Sequence, residues 1–331
     1  MARIVFGAGA AHTPLLSIPW RNWPDWAKGD YRNPALTLSD GRTMSYSDLA
    51  ASVDDDFDIS LQAFENKSQA CQASLDRLAD DLEAAGPDVV VIVGDDQEEL
   101  FAPENLPMIC VYYGEEIVMH ARKLAVGAPD FQKALQVGYA MDDFHRFPGH
   151  PTLALEIIQG LLDRAVDASS SARVADPAKA GFGHAVGFII RRLFKGRAIP
   201  VVPVLLNTYY PPNVPSAARA FSIGEHLRSS IEAAPSDLRV AIIASGGLSH
   251  FVVDTVLDRQ VLDGIVGNEG DLLRSIPRQA LRSGSSEILN WIVAAGALQG
   301  RPVAWSEYVP LHRTPAGTGV GAAFVSWGEA P

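Results

Sequence analysis

Asp88-Val-Val-Val-Ile-Val-Gly94 is a continuous β-branched run, the pattern of a central strand covered on both faces. Upstream, residues 59–85 repeat apolar side chains at helical spacing, with Leu61, Phe64, Leu75, Leu78 and Leu82 on one face. Gly86-Pro87 then stops that helix. The same alternation extends outward. Residues 3–8, 199–206 and 239–244 read as strands, and 152–164 and 216–233 as helices. Strand alternating with helix predicts an α/β sandwich around a central sheet. Residues 166–180, rich in Ala, Ser and Asp, read as a surface connection. Residues 15–60 interleave Trp20, Trp23, Trp26 and Tyr31 with Pro19, Pro24 and Pro34. That is a loop-rich insertion with aromatic anchors, and a long loop of this kind is expected either to pack or to serve as a lid.

The bulk composition narrows the function classes. The 331 residues are 47% hydrophobic and 20% charged, ordinary for a globular chain with a large core. A net charge of -12 leaves no basic excess to displace counterions, which argues against a nucleic-acid partner. No long uncharged apolar run predicts a membrane span, and the Gly-rich start is too short for a signal peptide. Cys71 and Cys110 are the only cysteines. Two in a chain this long suggest a reducing cytoplasm and buried thiols rather than a bridge.

The polar clusters fall just after the strands. His12 follows the first strand, Asp95-Asp96-Gln97 the second, Asn207 the third and His250 the fourth. Open α/β sheets bind ligands at the carboxyl ends of their strands, so these clusters predict a site on one sheet edge. His12, in Ala-Ala-His-Thr-Pro, is a candidate metal ligand, and Glu287, opening an apolar helix, is a candidate carboxylate ligand. His250 follows Gly246-Gly247-Leu248-Ser249 and reads as an acid/base near neutral pH. His184, in Gly181-Phe182-Gly183-His184, lies near a helix start and is placed to donate to an anionic intermediate. His312 is expected to reach the pocket from the last strand, while His120 and His226 read as helix-surface residues. Gly7-Ala8-Gly9-Ala10-Ala11 lacks the spacing of a dinucleotide fingerprint, and no nucleophile elbow or phosphate loop is present.

These motifs together resemble the class III extradiol ring-cleavage dioxygenases, of the protocatechuate 4,5-dioxygenase β-subunit and gallate dioxygenase type. The resemblance runs through Met1-Ala-Arg, His12-Thr-Pro and Pro87-Asp-Val-Val-Val-Ile-Val. It continues with Gly149-His-Pro-Thr-Leu-Ala, Pro200-Val-Val-Pro-Val, Tyr210-Pro-Pro, and Pro215-Ser with Arg219. It ends with Ser245-Gly-Gly-Leu-Ser-His250, Gly284-Ser-Ser-Glu287 and Gly296-Ala-Leu. Residues 17–70 and roughly 115–145 look like insertions. The resemblance implies a central mixed β-sheet flanked by helices, a single catalytic domain over 1–331, and a homo-oligomer. It also implies a small aromatic substrate opened with O2 and non-haem Fe(II). His12 and Glu287 fall on two iron ligands, His250 on the acid/base and His184 on a second pocket histidine. In the two-subunit members a separate small subunit caps the pocket; here residues 15–60 are expected to form the lid. An aromatic acid needs a polar anchor, for which Arg219, Arg313, Asn207 and His312 are the candidates.

The departure is Gln97, where the family carries its second histidine ligand. A neutral amide oxygen is a weaker and harder ligand than imidazole, which shifts preference from Fe(II) toward Mn(II). Zn(II) becomes an option if Asp95 or Asp96 steps in. The alternatives to ring cleavage are a non-oxidative metal-dependent hydrolase or lyase on the same scaffold, and a binding protein without turnover.

Overall fold

The structure is a computed structural model that describes residues 1–328. Nine strands form one mixed sheet: β1 (Arg3–Ala10), β2 (Val89–Asp95), β3 (Ile109–Tyr112), β4 (Ser169–Ser171), β5 (Val201–Leu206), β6 (Arg239–Ser245), β7 (His250–Val252), β8 (Val303–His312) and β9 (Thr318–Trp327). Their order is β7-β9-β1-β6-β2-β5-β3-β4, with β8 on the free side of β9. The centre, β1-β6-β2-β5, is parallel, and antiparallel strands close both flanks. The expected central mixed sheet with flanking helices is therefore what forms. The hairpin of β8 and β9 and the edge strand β4 within the supposed surface connection were not foreseen from the sequence.

The β-branched run behaves as its composition requires. Val89, Val91 and Val93 enter one core, which packs α3 (Pro151–Leu162), α5 (Ala217–Ala233), α6 (Thr255–Val266) and α7 (Ile288–Ala297). Val90 and Ile92 enter the opposite core, against α1 (Leu61–Ala85) and α4 (His184–Leu193). Period-2 alternation with both faces apolar is the mark of a strand with helices on each side. The α1 helix ends at Gly86 and buries Phe64, Leu75, Leu78 and Leu82 as expected. Leu61, expected on that face, is instead 54% exposed.

The glycines of β1 serve packing. A Cβ at Gly9 would lie 2.1 Å from the Trp291 ring, so Gly9 lets α7 press onto the strand and brings Glu287 close to His12. The insertion is irregular, with short helical turns, a small two-stranded ribbon and the helix Tyr46–Ser52. Its anchor is Trp23, fully buried against Phe64, its indole Nε1 donating to the Leu15 carbonyl at 3.0 Å. Another helix, α2 (Asp130–Gly138), lies in the second expected insertion. Cys71 and Cys110 are buried free thiols, both pushed up to about 12 by burial. Among the described residues no helix is long and apolar enough to cross a membrane.

Candidate metal centre

The carboxyl ends of the parallel strands bring His12, Asp95, His184 and Glu287 together, with one ligand atom from each lying within 4.8 Å of the others. His12 follows β1, Asp95 ends β2, His184 opens α4, and Glu287 leads into α7 from the 3-10 turn Ser283–Glu287. His250 joins the group, its Nε2 being 3.8 Å from Glu287 Oε2.

The orientation of His12 follows from its neighbour. The Ser245 hydroxyl donates to the Ala185 carbonyl at 2.7 Å, so its oxygen accepts from His12 Nδ1–H at 2.9 Å. That leaves the Nε2 lone pair turned toward Glu287 Oε2 at 3.2 Å. Nε2 is buried and has no hydrogen-bond partner among the described residues. A lone pair pressed against a carboxylate, without a hydrogen bond between them, is an arrangement that a cation completes. Tyr139 supports the same histidine by donating its hydroxyl to the His12 carbonyl at 2.7 Å.

Glu287 is positioned by the Gly247 N–H, which donates to Oε2 at 2.8 Å. Burial works against its charge, and a positive charge on His250 or His12 beside it is what would draw its carboxyl below the usual range. Asp95 is shifted the other way, raised by burial and by the neighbouring Glu287 charge. Two carboxylates this close in a dry site repel each other, and a divalent cation offsets that repulsion. The donor set of imidazole nitrogens and carboxylate oxygens therefore fits a first-row divalent metal.

Gln97 does not present its oxygen to the centre. Its amide Nε2 donates to Asp95 Oδ2 at 3.0 Å and toward Glu287 Oε1 at 3.3 Å. Only the N–H end can satisfy two carboxylates. Asp96 is also removed from the ligand candidates. Its oxygens accept from the backbone N–H groups of Leu100 and Phe101 at 2.8 and 3.1 Å, and it lies outside the four-residue cluster. Burial and the nearby Glu99 push its carboxyl up to about 7.

His184 has a partner that sequence reading missed. Its Nδ1 lies 2.7 Å from Glu99 Oε1, and Glu99 Oε2 accepts from the Gln97 backbone N–H at 2.9 Å. Burial disfavours the charged ring, but Glu99 more than reverses this and lifts His184 to about 9, while burial of Glu99 is outweighed by His184, which draws it down to about 2. His250 is the contrasting case. Its Nδ1–H donates to the Leu248 carbonyl at 2.8 Å, and burial holds the ring below the ordinary histidine range despite Glu287. It is neutral with Nε2 open, the state a general base needs.

A cavity of about 250 Å³ opens over these groups, walled by Pro14, Trp26, Leu135, Met141, Tyr209 and Phe251. Arg122 is the one Arg or Lys among its lining residues. A larger cavity of about 350 Å³ lies beyond Tyr209, beside Arg278 and Arg282, but none of the clustered ligands lines it.

The four anchors expected for an acidic substrate lie elsewhere. Arg313 is buried in a bidentate pair with Asp30, at 2.5 and 2.9 Å. Asn207 closes its own turn, donating to the Tyr210 carbonyl and accepting from the Tyr210 N–H. His312 stacks on Phe57 at 4.0 Å between ring centres. Arg219 sits in the first turn of α5, on the helix layer away from the cavity. His120 is not helical but follows the short strand Glu116–Val118. Arg122, the residue that does reach the cavity, falls in the segment read as an insertion; only its charge marked it.

Comparison with known proteins agrees with this chemistry. Residues 60–325 match the family described as the catalytic LigB subunit of aromatic ring-opening dioxygenase. Gallate dioxygenase of Pseudomonas putida is 32% identical over 110 residues, 30% of this chain and 32% of that protein. The 2,3-dihydroxyphenylpropionate/2,3-dihydroxicinnamic acid 1,2-dioxygenase of Comamonas testosteroni is 27% identical over 164 residues, 50% of this chain and 43% of that protein. The matches thus span less than half the length of either relative. An uncharacterized protein of Escherichia coli K12 of known structure overlays with a TM-score of 0.45 at 16% identity, covering 78% of this chain and 92% of that one. That likeness is too distant to carry an argument.

Proposed function

Because the chain belongs to the family of catalytic LigB subunits of aromatic ring-opening dioxygenases, we propose that it opens the ring of a vicinal dihydroxy aromatic acid with O2 and a divalent metal, Fe(II) in the first instance. The observation that carries this reading is the unpartnered Nε2 of His12 against Glu287, with the open Nε2 of His250 beside them. His12 and Glu287 would hold the metal. When bound, iron would supply Lewis acidity toward two vicinal phenolic oxygens and a route for electrons to O2.

The chain's own residues account for the rest. An engineered apolar cavity of about 150 Å³ takes up benzene, so a cavity of about 250 Å³ holds one substituted ring. The apolar walls from Trp26 to Phe251 exclude water and seat that ring. His250 Nε2 takes a phenolic proton while Nδ1–H stays on the Leu248 carbonyl. It returns the proton to an oxygen of the product as the ring opens. Arg122, at the rim, pairs with the substrate's acid group. Residues 15–60 supply Trp26 to one wall and so form part of the cover over the site.

The experiment is oxygen uptake by Fe(II)-loaded protein with catechol, protocatechuate, gallate and 2,3-dihydroxyphenylpropionate, read with the absorbance of the ring-opened products. Uptake equal to product formed is expected. Stoichiometric iron with no uptake across the panel rejects ring cleavage. A second reading, a non-oxidative hydrolase or lyase, is favoured by Asp95, whose extra carboxylate suits Mn(II) or Zn(II). Turnover of a ring-opened acid without O2 would select it.

A further inference from the structure

The loop after β2 lacks the expected histidine, yet the centre has two imidazoles. His184 stands edge-on to His12 with ring centres 4.7 Å apart. With Nδ1 committed to Glu99, Nε2 is the nitrogen it has left to offer. Glu99 reaches it only because residue 183 is glycine; a Cβ there would lie 2.2 Å from the Glu99 carboxyl carbon. Glu99 is itself steadied by the Gln97 backbone N–H. Thus the loop that elsewhere would contribute an imidazole here contributes the carboxylate that aims one from α4. A metal-binding histidine almost always gives its other N–H to such an acceptor.

The remaining place is taken by Asp95. As the last residue of β2 it turns one carboxylate into the cluster, held by Asn290 Nδ2 at 3.2 Å and Gln97 Nε2 at 3.0 Å. Gln97 spans Asp95 and Glu287 and keeps the two carboxylates at a fixed separation.

We propose that the metal ligands of this chain are His12, His184, Glu287 and Asp95, with Glu99 orienting His184 and Gln97 bridging the two carboxylates without binding the metal. The proposal rests on the metal-dependent reading of the site, not on ring cleavage. It makes His184 a ligand instead of a donor to an intermediate. It also gives the site two carboxylates, a set that tolerates harder ions such as Mn(II) better than two histidines and one carboxylate do.

Mn(II) alone is the probe. Pulsed EPR of the Mn(II)-loaded protein counts coordinated histidine nitrogens, and titration gives affinity. Two nitrogens are expected in the wild type and one in His184→Ala. Glu99→Gln should weaken Mn(II) about 10- to 100-fold, as loss of an orienting partner does. Gln97→Ala removes a hydrogen bond from two ligands but no ligand atom, so it should weaken Mn(II) by no more than about 10- to 100-fold and keep two coordinated nitrogens. A single nitrogen in the wild type overturns the ligand set. So does a Gln97→Ala protein that loses the metal while Glu99→Gln keeps it. If His184→Ala does not fold, the wild-type count and the other two variants decide. No Mn(II) binding at all overturns this set and the metal-dependent reading together. Two nitrogens in the Mn(II) form, with no oxygen uptake by the Fe(II)-loaded protein, overturn ring cleavage alone.

Discussion

Removal of the Asp30 carboxylate should loosen the insertion over the site. Asp30 lies in the turn Asp30–Arg32, and its Oδ2 accepts from Arg313 Nε at 2.5 Å and from Thr318 Oγ1 at 2.6 Å. Its Oδ1 accepts from Arg313 Nη2 at 2.9 Å. The two side chains are 11% and 4% exposed, so the pair is almost dry and ties residues 15–60 to the hairpin of β8 and β9. Asp30→Ala strands a guanidinium that cannot give up its proton, and breaking a buried pair this way costs about 3–5 kcal/mol. At an m-value of about 3 kcal/mol per M, a loss of 4 kcal/mol lowers the urea midpoint by about 1.3 M. Asp30→Ala with Arg313→Met removes both charges and should recover a substantial part of the loss. Urea titration followed by tryptophan fluorescence reads this directly, because Trp23 and Trp26 belong to the clamped segment. A midpoint moved by less than about 0.3 M, or a double variant no better than the single, would refute the clamp. So would an Arg313→Met protein of near-normal stability with weakened binding of acidic substrates, since Arg313 would then be a substrate anchor.

Arg122→Ala should raise KM for carboxylated catechols about 10- to 100-fold, the worth of one charge-assisted pair, and leave plain catechol unchanged; steady-state kinetics on the matched pair checks it. His250→Ala should lower kcat about 10²- to 10⁴-fold with metal content intact, the usual contribution of a general base, as seen by oxygen uptake and metal analysis. Gly9→Val should be destabilised by at least about 1–3 kcal/mol through overpacking on Trp291, visible as a lower urea midpoint. Asp258, which holds Ser249 through its N–H and its hydroxyl at 2.8 Å each, is lifted by burial from 3.8 to about 6. Its native state keeps a proton that the unfolded chain has released. This stabilisation, about 3 kcal/mol at 1.36 kcal/mol per pKa unit, is present below about pH 4 and is lost as pH rises through about 6. Asp258→Asn should flatten that part of the pH–stability curve; an unchanged slope between about pH 4 and pH 7 argues against it.

The layering was legible in the chain because it rests on local pattern. Val89 to Val93 alternate into two apolar cores, and α1 repeats its leucines at helical spacing, whatever lies far away in sequence. His12, Asp95-Asp96-Gln97, Asn207 and His250 could be placed near one edge because parallel strands present their carboxyl ends together. Which side chains meet there depends on contacts no local pattern encodes. Asp95 and Asp96 are chemically alike, but neighbours on an extended chain point opposite ways, so one joins the metal cluster and the other binds backbone N–H groups. Arg313 was available on paper and is taken by Asp30, 283 residues away in the chain. Glu99, Arg122 and Tyr139 carried no spacing signal and enter the site only through loop paths. The sequence by itself determined the layers and the sheet edge that carries the site. Which side chains face one another at that edge follows from long-range packing, because burial makes each polar atom choose one partner and withdraws from the site every group already committed elsewhere.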